Sequence, residues 1–398
     1  MQPQFKKRMK KVLFLNSRSP FPIRDGASIG TNQYLRFFHD LGYDVDLCYV
    51  SEKDDLDVVS KGVGQYCNQV RCFPIPKWQS YLKSLHGFMT SPYPLQVCYY
   101  YSRKLSRWVK EHAANYDIIY CHNMRTARYA EGLGQYKIWN IVDAFSMNYE
   151  SAITHSHGLW KWIYKTDARR CSRYEQKLLG EFDKKLIVSQ KDRDFIVDCA
   201  GGKADITVVE NYTVIPEGPG HETPVLKTPN LVFVGAMNYE PNITAVTYFC
   251  NHILPVLLKT YPSLHFYIVG KTPAASVCAL QSEHVTVTGF VDDVWDYFRK
   301  ASVVIAPMQS GSGLQNKILQ ALAVGACVVT TPIGFEGLVH AEGQPFIAET
   351  DEEMVKQISF LLDSPEARSE EGKKSVGYIK KFYSIDVIRA KFKAFMDA

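Results

Sequence analysis

The chain has 398 residues, 46% of them hydrophobic and 22% charged, with a formal net charge of +5. That length is too great for one ordinary core and predicts two domains, and the composition excludes a disordered or fibrous chain. The charge is small and partly confined to "KKRMKK" (Lys6 to Lys11), so no nucleic-acid partner is expected, although that cluster allows contact with an anionic membrane.

Ten cysteines are scattered without CxxC spacing, and several lie in apolar runs such as "DLCYV" and "GACVVTT". Buried free thiols fit this better than disulfides or zinc. No apolar run has the length to span a bilayer and no secretory pattern is present. The expectation is a cytoplasmic protein, with peripheral attachment to the inner face of the plasma membrane left open.

In chain order, "KVLFLN" (Lys11 to Asn16) reads as a buried strand, "SRSPFPIRDGASIG" as a loop and "TNQYLRFFHDLG" as a helix. "YDVDLCYV", "YDIIYCHN", "KIWNIVDAFS", "KKLIVSQKD" and "ITVVENYT" follow as strands. The last four end in polar or small residues, as side chains at the carboxyl edge of a parallel sheet do. Between Ser146 and Glu181 the sequence is aromatic and basic, with Trp160, Ile163 and Tyr164 at helical spacing. A core-facing amphipathic helix is expected there, with a membrane- or acceptor-facing one as the alternative. Histidines 155 and 157 are two apart, which does not place them on one helical face, so a solvated loop is expected rather than a metal pair.

"VIPEGPGHETPVLKTPN" (Val214 to Asn230) has four prolines, two glycines and no period, which predicts a linker. The alternation then restarts with "LVFVG", "ITAVTYFCNHILPVLLKTYP", "LHFYIVG", "VTVTGFV", "ASVVIAP" and "CVVTTP". The expected organisation is an N-terminal domain over 1–213, a linker over 214–230, a second domain over 231–382 and a closing helix over 383–398. That helix has no neighbour of its own in sequence and is expected to cross back to the first domain. The fold class is α/β, with two doubly wound Rossmann-like domains and any large ligand in the cleft between them.

Four glycine-containing turns close successive strands of the second domain, at Gly235, Gly270, Gly289 and the run Ser310 to Gly313. In "QSGSGLQNKILQALAVG" a Gly/Ser loop opens a helix with Lys317 in its first turn. Free N–H groups and the positive end of a helix dipole favour a phosphate, and Lys317 adds a full charge. On loop chemistry alone, a plain helix cap is the commoner reading. No Walker spacing, GxGxxG directly after the first strand or HExxH occurs.

The order "GAMNYEPN … FYIVG … VTVTGFVDD … VVIAPMQSGSGLQNKILQALAVGACVVTTPIGFEGL" resembles the glycosyltransferases of the GT-B fold, above all the retaining group called family 4 and its bacterial exopolysaccharide-associated members. "RSPFPIRDGASIGTNQYLRFFHDLGYDVDL", "DIIYCHN" and "VVENYT" extend the resemblance, more loosely, to most of the chain.

The resemblance implies a nucleotide-sugar donor (UDP-, GDP- or ADP-linked) and a glycan or lipid-linked acceptor, in cell-surface polysaccharide or glycoconjugate synthesis. It implies that Ser310, Gly311, Ser312, Gly313 and Leu314 contact the diphosphate by backbone and that Lys317 neutralises the leaving group. Gly235 would lie beside the donor, Gly289 and Asp293 near the base, and His122 on the sugar side. Asp25, Gly26 and Asp143 would face donor or acceptor. Retention without a side-chain nucleophile is implied, and no metal or other cofactor is expected. Where many members carry two glutamates with seven residues between them, this chain has Ser312 and Gln320. Where many carry Arg and Lys after the strand equivalent to "LVFVG", it has Met237 and Asn242. Lys317 is therefore expected to be the main charge at the phosphates. These departures keep open a weakly active or inactive subunit, and a nucleotide-sugar epimerase on the same fold is a further alternative.

Overall fold

The computed structural model describes residues 8–23, 26–154, 156–215, 226–311 and 313–398. The expected site residues Asp25 and Ser312, His155, and 216–225 of the expected linker lie outside them. The chain divides into two units, Met1–Val209 with Lys391–Ala398, and Glu210–Ala390.

In the first unit, β1 (Lys11–Asn16), β2 (Asp44–Ser51), β3 (Gln69–Pro74), β4 (Ile118–His122), β5 (Tyr136–Asn140), β6 (Lys184–Ile187) and β7 (Thr207–Val208) form one parallel sheet, ordered β3-β2-β1-β4-β5-β6-β7. Runs such as Val12 to Leu15 and Ile118 to Cys121 are buried along their whole length, as strands covered on both faces must be. Tyr34, Phe37 and Phe38 of the helix Gly26–Asp40 are fully buried beneath the sheet residues Phe14 and Tyr120. Each such side chain contributes about 1.5–3 kcal/mol of burial. In the closing helix Ile385–Asp397, Phe392 sits 5.1–5.7 Å from the rings of Tyr34, Phe37 and Phe38, so residues 391–398 complete this core.

In the second unit, β8 (Asn230–Val234), β9 (His265–Val269), β10 (Val285–Gly289), β11 (Val303–Ala306), β12 (Val328–Thr330) and β13 (Phe346–Ile347) form a parallel sheet ordered β10-β9-β8-β11-β12-β13. The stretch expected as one helix after β8 is interrupted by a π turn over Phe249–Ile253, just before Pro255. A proline inside a helix removes one N–H and forces such a local rearrangement.

Several strands are shorter than the apolar runs suggest. "KIWNIVDAFS" stops being strand at Asn140, because Val142 takes φ +68°. "KKLIVSQKD" turns into a helix at Gln190, capped by the Ser189 hydroxyl accepting from Asp192 N–H. The helix expected from Thr31 begins five residues earlier, at Gly26. The stretch Ser146 to Glu181 is two helices, Phe145–Thr154 and Gly158–Glu181, and Trp160 is exposed rather than core-facing. All ten cysteines are free; Cys199 and Cys278 are exposed and most of the others buried.

Candidate functional site

In a doubly wound sheet, the strand order reverses at one point and the loops there diverge, leaving a crevice at the carboxyl ends of the strands. Here the reversals fall between β1 and β4 in the first unit and between β8 and β11 in the second. The residues singled out in the sequence cluster at both points.

In the second unit, β8, β9 and β10 end side by side in glycine. A Cβ on Gly270 would lie 1.6 Å from the Gly235 carbonyl oxygen, so the two backbones touch where no other residue fits. A Cβ on Gly235 would lie 2.6 Å from Nδ2 of Asn242. Asn242, at the start of the helix Glu240–Tyr248, is held by Nδ2 donating to the Ala236 carbonyl at 3.0 Å. Its Oδ1 accepts from Lys317 Nζ at 2.6 Å.

Lys317 is the second residue of the helix Asn316–Ala323, which follows the loop after β11. Its ammonium also lies 3.6 Å from Met308 Sδ and 4.4 Å over the Phe233 ring. No carboxylate pairs with it among the described residues. Burial lowers its pKa to about 7, so the free protein holds a part-deprotonated amine at this point. The loop is tied down at Met308, whose carbonyl accepts from Thr331 Oγ1 at 2.7 Å. Gly311 and Gly313 take φ +128° and +73°, conformations that favour glycine, and Leu314 is buried. Asn316 and Lys317 begin the helix, so their N–H groups have no intrahelical acceptor. The structure thus brings Gly235, Asn242 and Lys317 together at the strand ends, with Gly311 beside Pro241.

Other expected residues have structural duties. Met237 is fully buried, with its N–H bonded to the Lys271 carbonyl and its own carbonyl bonded to Ala274 N–H. Its side chain is therefore held in the core, and its N–H and carbonyl each have a backbone partner. Asp293 caps the helix Val294–Lys300 by accepting from Trp295 N–H. Gly289 takes φ +70° at the end of β10. Ser310 and Gln320 are part-exposed, Ser310 in the loop and Gln320 on the 316–323 helix one turn beyond Lys317.

In the first unit, a cavity of about 250 Å³ opens at the ends of β1, β4 and β5, lined by Asn16, Ser17, Arg18, His122, Arg125 and Asp143 among others. Two residues in left-handed backbone shape it, Asn123 at φ +66° and Val142 at φ +68°. The second is a β-branched residue in a strained conformation, which persists only where its surroundings enforce it. His122 is buried, with Nδ1 3.4 Å from the Asn140 amide nitrogen. Burial, followed by the charge of Arg125, pushes its pKa down to about 3, so the imidazole is neutral. Asp143 is raised to about 7, first by burial and then by the Asp192 carboxylate. Gly26 begins the 26–40 helix and is exposed.

Arg18 and Arg125 were not foreseen. Arg18 Nε donates to Tyr100 Oη at 2.9 Å, and the Arg125 guanidinium lies 4.8 Å from the Tyr100 ring and 5.2 Å from that of Phe145. Burial and the charge of Arg18 lower the Arg125 pKa to about 10. Its Nε is buried without a hydrogen-bond partner. The available signal was "LNSR" and "HNMR", two strand ends each followed closely by arginine.

No group of three metal-ligating side chains occurs among the described residues. Residues 228–364 match the family described as glycosyl transferases group 1. Across 86% of this chain and 88% of that protein, an uncharacterized 44.6 kDa protein in the cps region of Klebsiella pneumoniae is 22% identical. Anabaena Alr3699/HepE, solved in complex with UDP-glucose, is 14% identical with a TM-score of 0.66, covering 98% of this chain and 99% of that one. WaaG, a glycosyltransferase involved in lipopolysaccharide biosynthesis, is 15% identical with a TM-score of 0.68, covering 96% and 98%. The chain therefore matches glycosyl transferases group 1 over residues 228–364 and has the two-domain α/β architecture of these GT-B structures.

Proposed function

We propose that the chain moves a sugar from a nucleotide-sugar donor to a hydroxyl of a glycan or lipid-linked acceptor, in cell-surface polysaccharide or glycoconjugate synthesis. The observation that carries this is Lys317, a cation with no carboxylate partner among the described residues, set at a helix start beside a glycine-floored crevice. A diphosphate supplies the charge that Lys317 lacks, and the first-turn N–H groups supply hydrogen bonds to its oxygens. The bond from the sugar anomeric carbon to the diphosphate breaks, the acceptor oxygen forms the new bond, and its proton passes to the departing phosphate. Neutral His122, in the cavity of the first unit, is not assigned to acid catalysis, because at a pKa of about 3 it carries no imidazolium proton at neutral pH.

The complex of Alr3699/HepE with UDP-glucose supports a UDP-linked donor, and the cps-region and lipopolysaccharide relatives support a surface glycan. Metal independence belongs to the same proposal, since Lys317 and the helix start carry the charge stabilisation, and so does retention, with the acceptor oxygen arriving on the face the phosphate leaves. The experiment is a thermal-shift screen with UDP, GDP and ADP, followed by transfer assays with and without EDTA and NMR of the product anomer. Absence of a shift with all three nucleotides overturns the donor site, and an inverted anomer overturns the mechanism. Gln320 and the Asn242-bound Lys317 favour one second reading, a binding subunit, which nucleotide binding without any transfer would establish.

A further inference from the structure

The exposed apolar side chains of the first unit are concentrated on two helices. On Lys77–Thr90, Trp78, Tyr81, Leu82, Leu85 and Met89 are 57–77% exposed. On Gly158–Glu181, Leu159, Trp160 and Trp162 are 56–69% exposed. The helices meet where the Phe88 and Trp162 rings lie edge-on at 5.3 Å and Arg170 Nη2 donates to the Phe88 carbonyl at 2.8 Å. Water-facing tryptophan and leucine in a joined patch mark an interaction surface rather than ordinary scatter.

The exposed charge that these two helices carry at the patch is basic. The 77–90 helix has no acidic residue, and the first on the 158–181 helix is the buried Asp167. Lys161, Lys165 and Arg169 are exposed and make no ion pair among the described residues, whereas Lys77 is paired with Glu52. Aromatic and aliphatic groups ringed by lysine and arginine fit the interfacial zone of an anionic bilayer.

A file of aromatics leads from this face to the cavity. Tyr81 lies edge-on to Tyr99 at 5.4 Å, and Tyr99 to Tyr100 at 4.9 Å. Tyr100 is the residue that Arg18 bonds and over which Arg125 stacks. The far end of the file therefore holds two guanidiniums without a carboxylate partner among the described residues, one with a buried Nε that has no acceptor.

We propose that the first unit binds a phosphate-bearing lipid, its phosphate between Arg18 and Arg125 and its hydrocarbon chain along Tyr99 and Tyr81 onto the exposed face. Two arginines presenting fixed N–H forks suit a phosphate, and stacking on Tyr100 keeps them pre-positioned. The proposal rests on the transferase reading only in making this lipid the carrier of the acceptor hydroxyl; the binding itself does not depend on it.

The test is flotation of the full chain with three kinds of phosphatidylcholine vesicle. One is undoped, one carries phosphatidylglycerol, and one carries a polyprenyl monophosphate at the same total charge. Wild type is expected to prefer the polyprenyl phosphate over phosphatidylglycerol by about tenfold or more, the worth of one or two charge-assisted hydrogen bonds. Arg18→Gln and Arg125→Gln each abolish that preference while leaving binding to phosphatidylglycerol vesicles in place. Arg18 is exposed, so its variant keeps the wild-type melting temperature even if the Arg125 variant folds poorly. Trp78→Ser with Leu85→Ser and Trp160→Ser weakens binding to every vesicle. Equal binding to the two anionic vesicles shows a general anionic surface and overturns the proposal. So does a preference that survives the arginine substitutions, and so does absence of flotation. A failed UDP shift with intact flotation overturns the donor site alone.

Discussion

Replacing Lys317 with methionine separates charge from volume, because methionine fills nearly the same space without an ammonium. The folded protein holds this amine near pKa 7 where an exposed lysine titrates at 10.5, a difference caused by burial. Taken at face value, that corresponds to a desolvation cost of up to about 5 kcal/mol at neutral pH. Partial exposure, the Asn242 acceptor and the Phe233 ring reduce the cost, and about 1–2 kcal/mol is a working figure. Lys317→Met therefore leaves the melting temperature unchanged or raises it by a few degrees. The same substitution removes the cation proposed to face the diphosphate, and charge-assisted hydrogen bonds contribute about 1.5–3 kcal/mol each. UDP affinity, read by titration calorimetry at pH 7, should fall about 10- to 100-fold and turnover should disappear. A variant that binds UDP within twofold of wild type refutes the placement of the diphosphate at Lys317.

Titration gives a second check. An unfolded lysine keeps its proton up to 10.5 while folded Lys317 gives it up near 7, so the unfolded chain binds more protons in that window. The contribution of this group to stability therefore rises with pH between about 7 and 10.5, and Lys317→Met should abolish that rise in pH-dependent melts. Bound UDP restores the proton, so binding above pH 7 should take up protons and weaken as pH increases, measurable as a buffer-dependent calorimetric enthalpy. Asp143 behaves in the opposite sense. Its folded pKa near 7 lies above the ordinary carboxyl value, so stability from this group falls as pH rises from about 4 to 7. Asp143→Asn should melt higher than wild type at pH 8 and no higher at pH 4. Gly270→Ala places a methyl 1.6 Å from the Gly235 carbonyl at φ +154° and should lower stability by more than about 3 kcal/mol. Gly132→Ala, strained at φ +71° but facing open space, should cost only about 1 kcal/mol in the same urea titration. Gln320→Glu should raise UDP affinity a few-fold if this position holds ribose hydroxyls, and an unchanged affinity assigns it elsewhere.

The residues alone determined the alternation of buried strands and helices, because period and apolar runs are local properties that tertiary packing only trims. The strands ending in Gly235, Gly270 and Gly289 were legible for the same reason, as was the helix start at "GSGLQNK", whose chemistry is carried by adjacent residues. Strand lengths were not, since Val142 leaves the β region only under the constraint of its neighbours, and apolar content gives no sign of that.

The partners of each side chain were decided by tertiary structure. Met237 and Asn242 sit five residues apart in one loop and helix start, yet Met237 is sealed in the core while Asn242 grips Lys317, 75 residues away. Trp160, at a spacing that suited a core helix, is exposed, whereas Tyr164 one turn on lies 5.8 Å from the Tyr149 ring of the preceding helix. Arg18 and Arg125 meet over Tyr100 because the strand order reverses between β1 and β4. Contacts between residues a hundred positions apart depend on strand order and burial, and desolvation, which moves Lys317 and His122 away from their ordinary pKa values, exists only once those contacts are made.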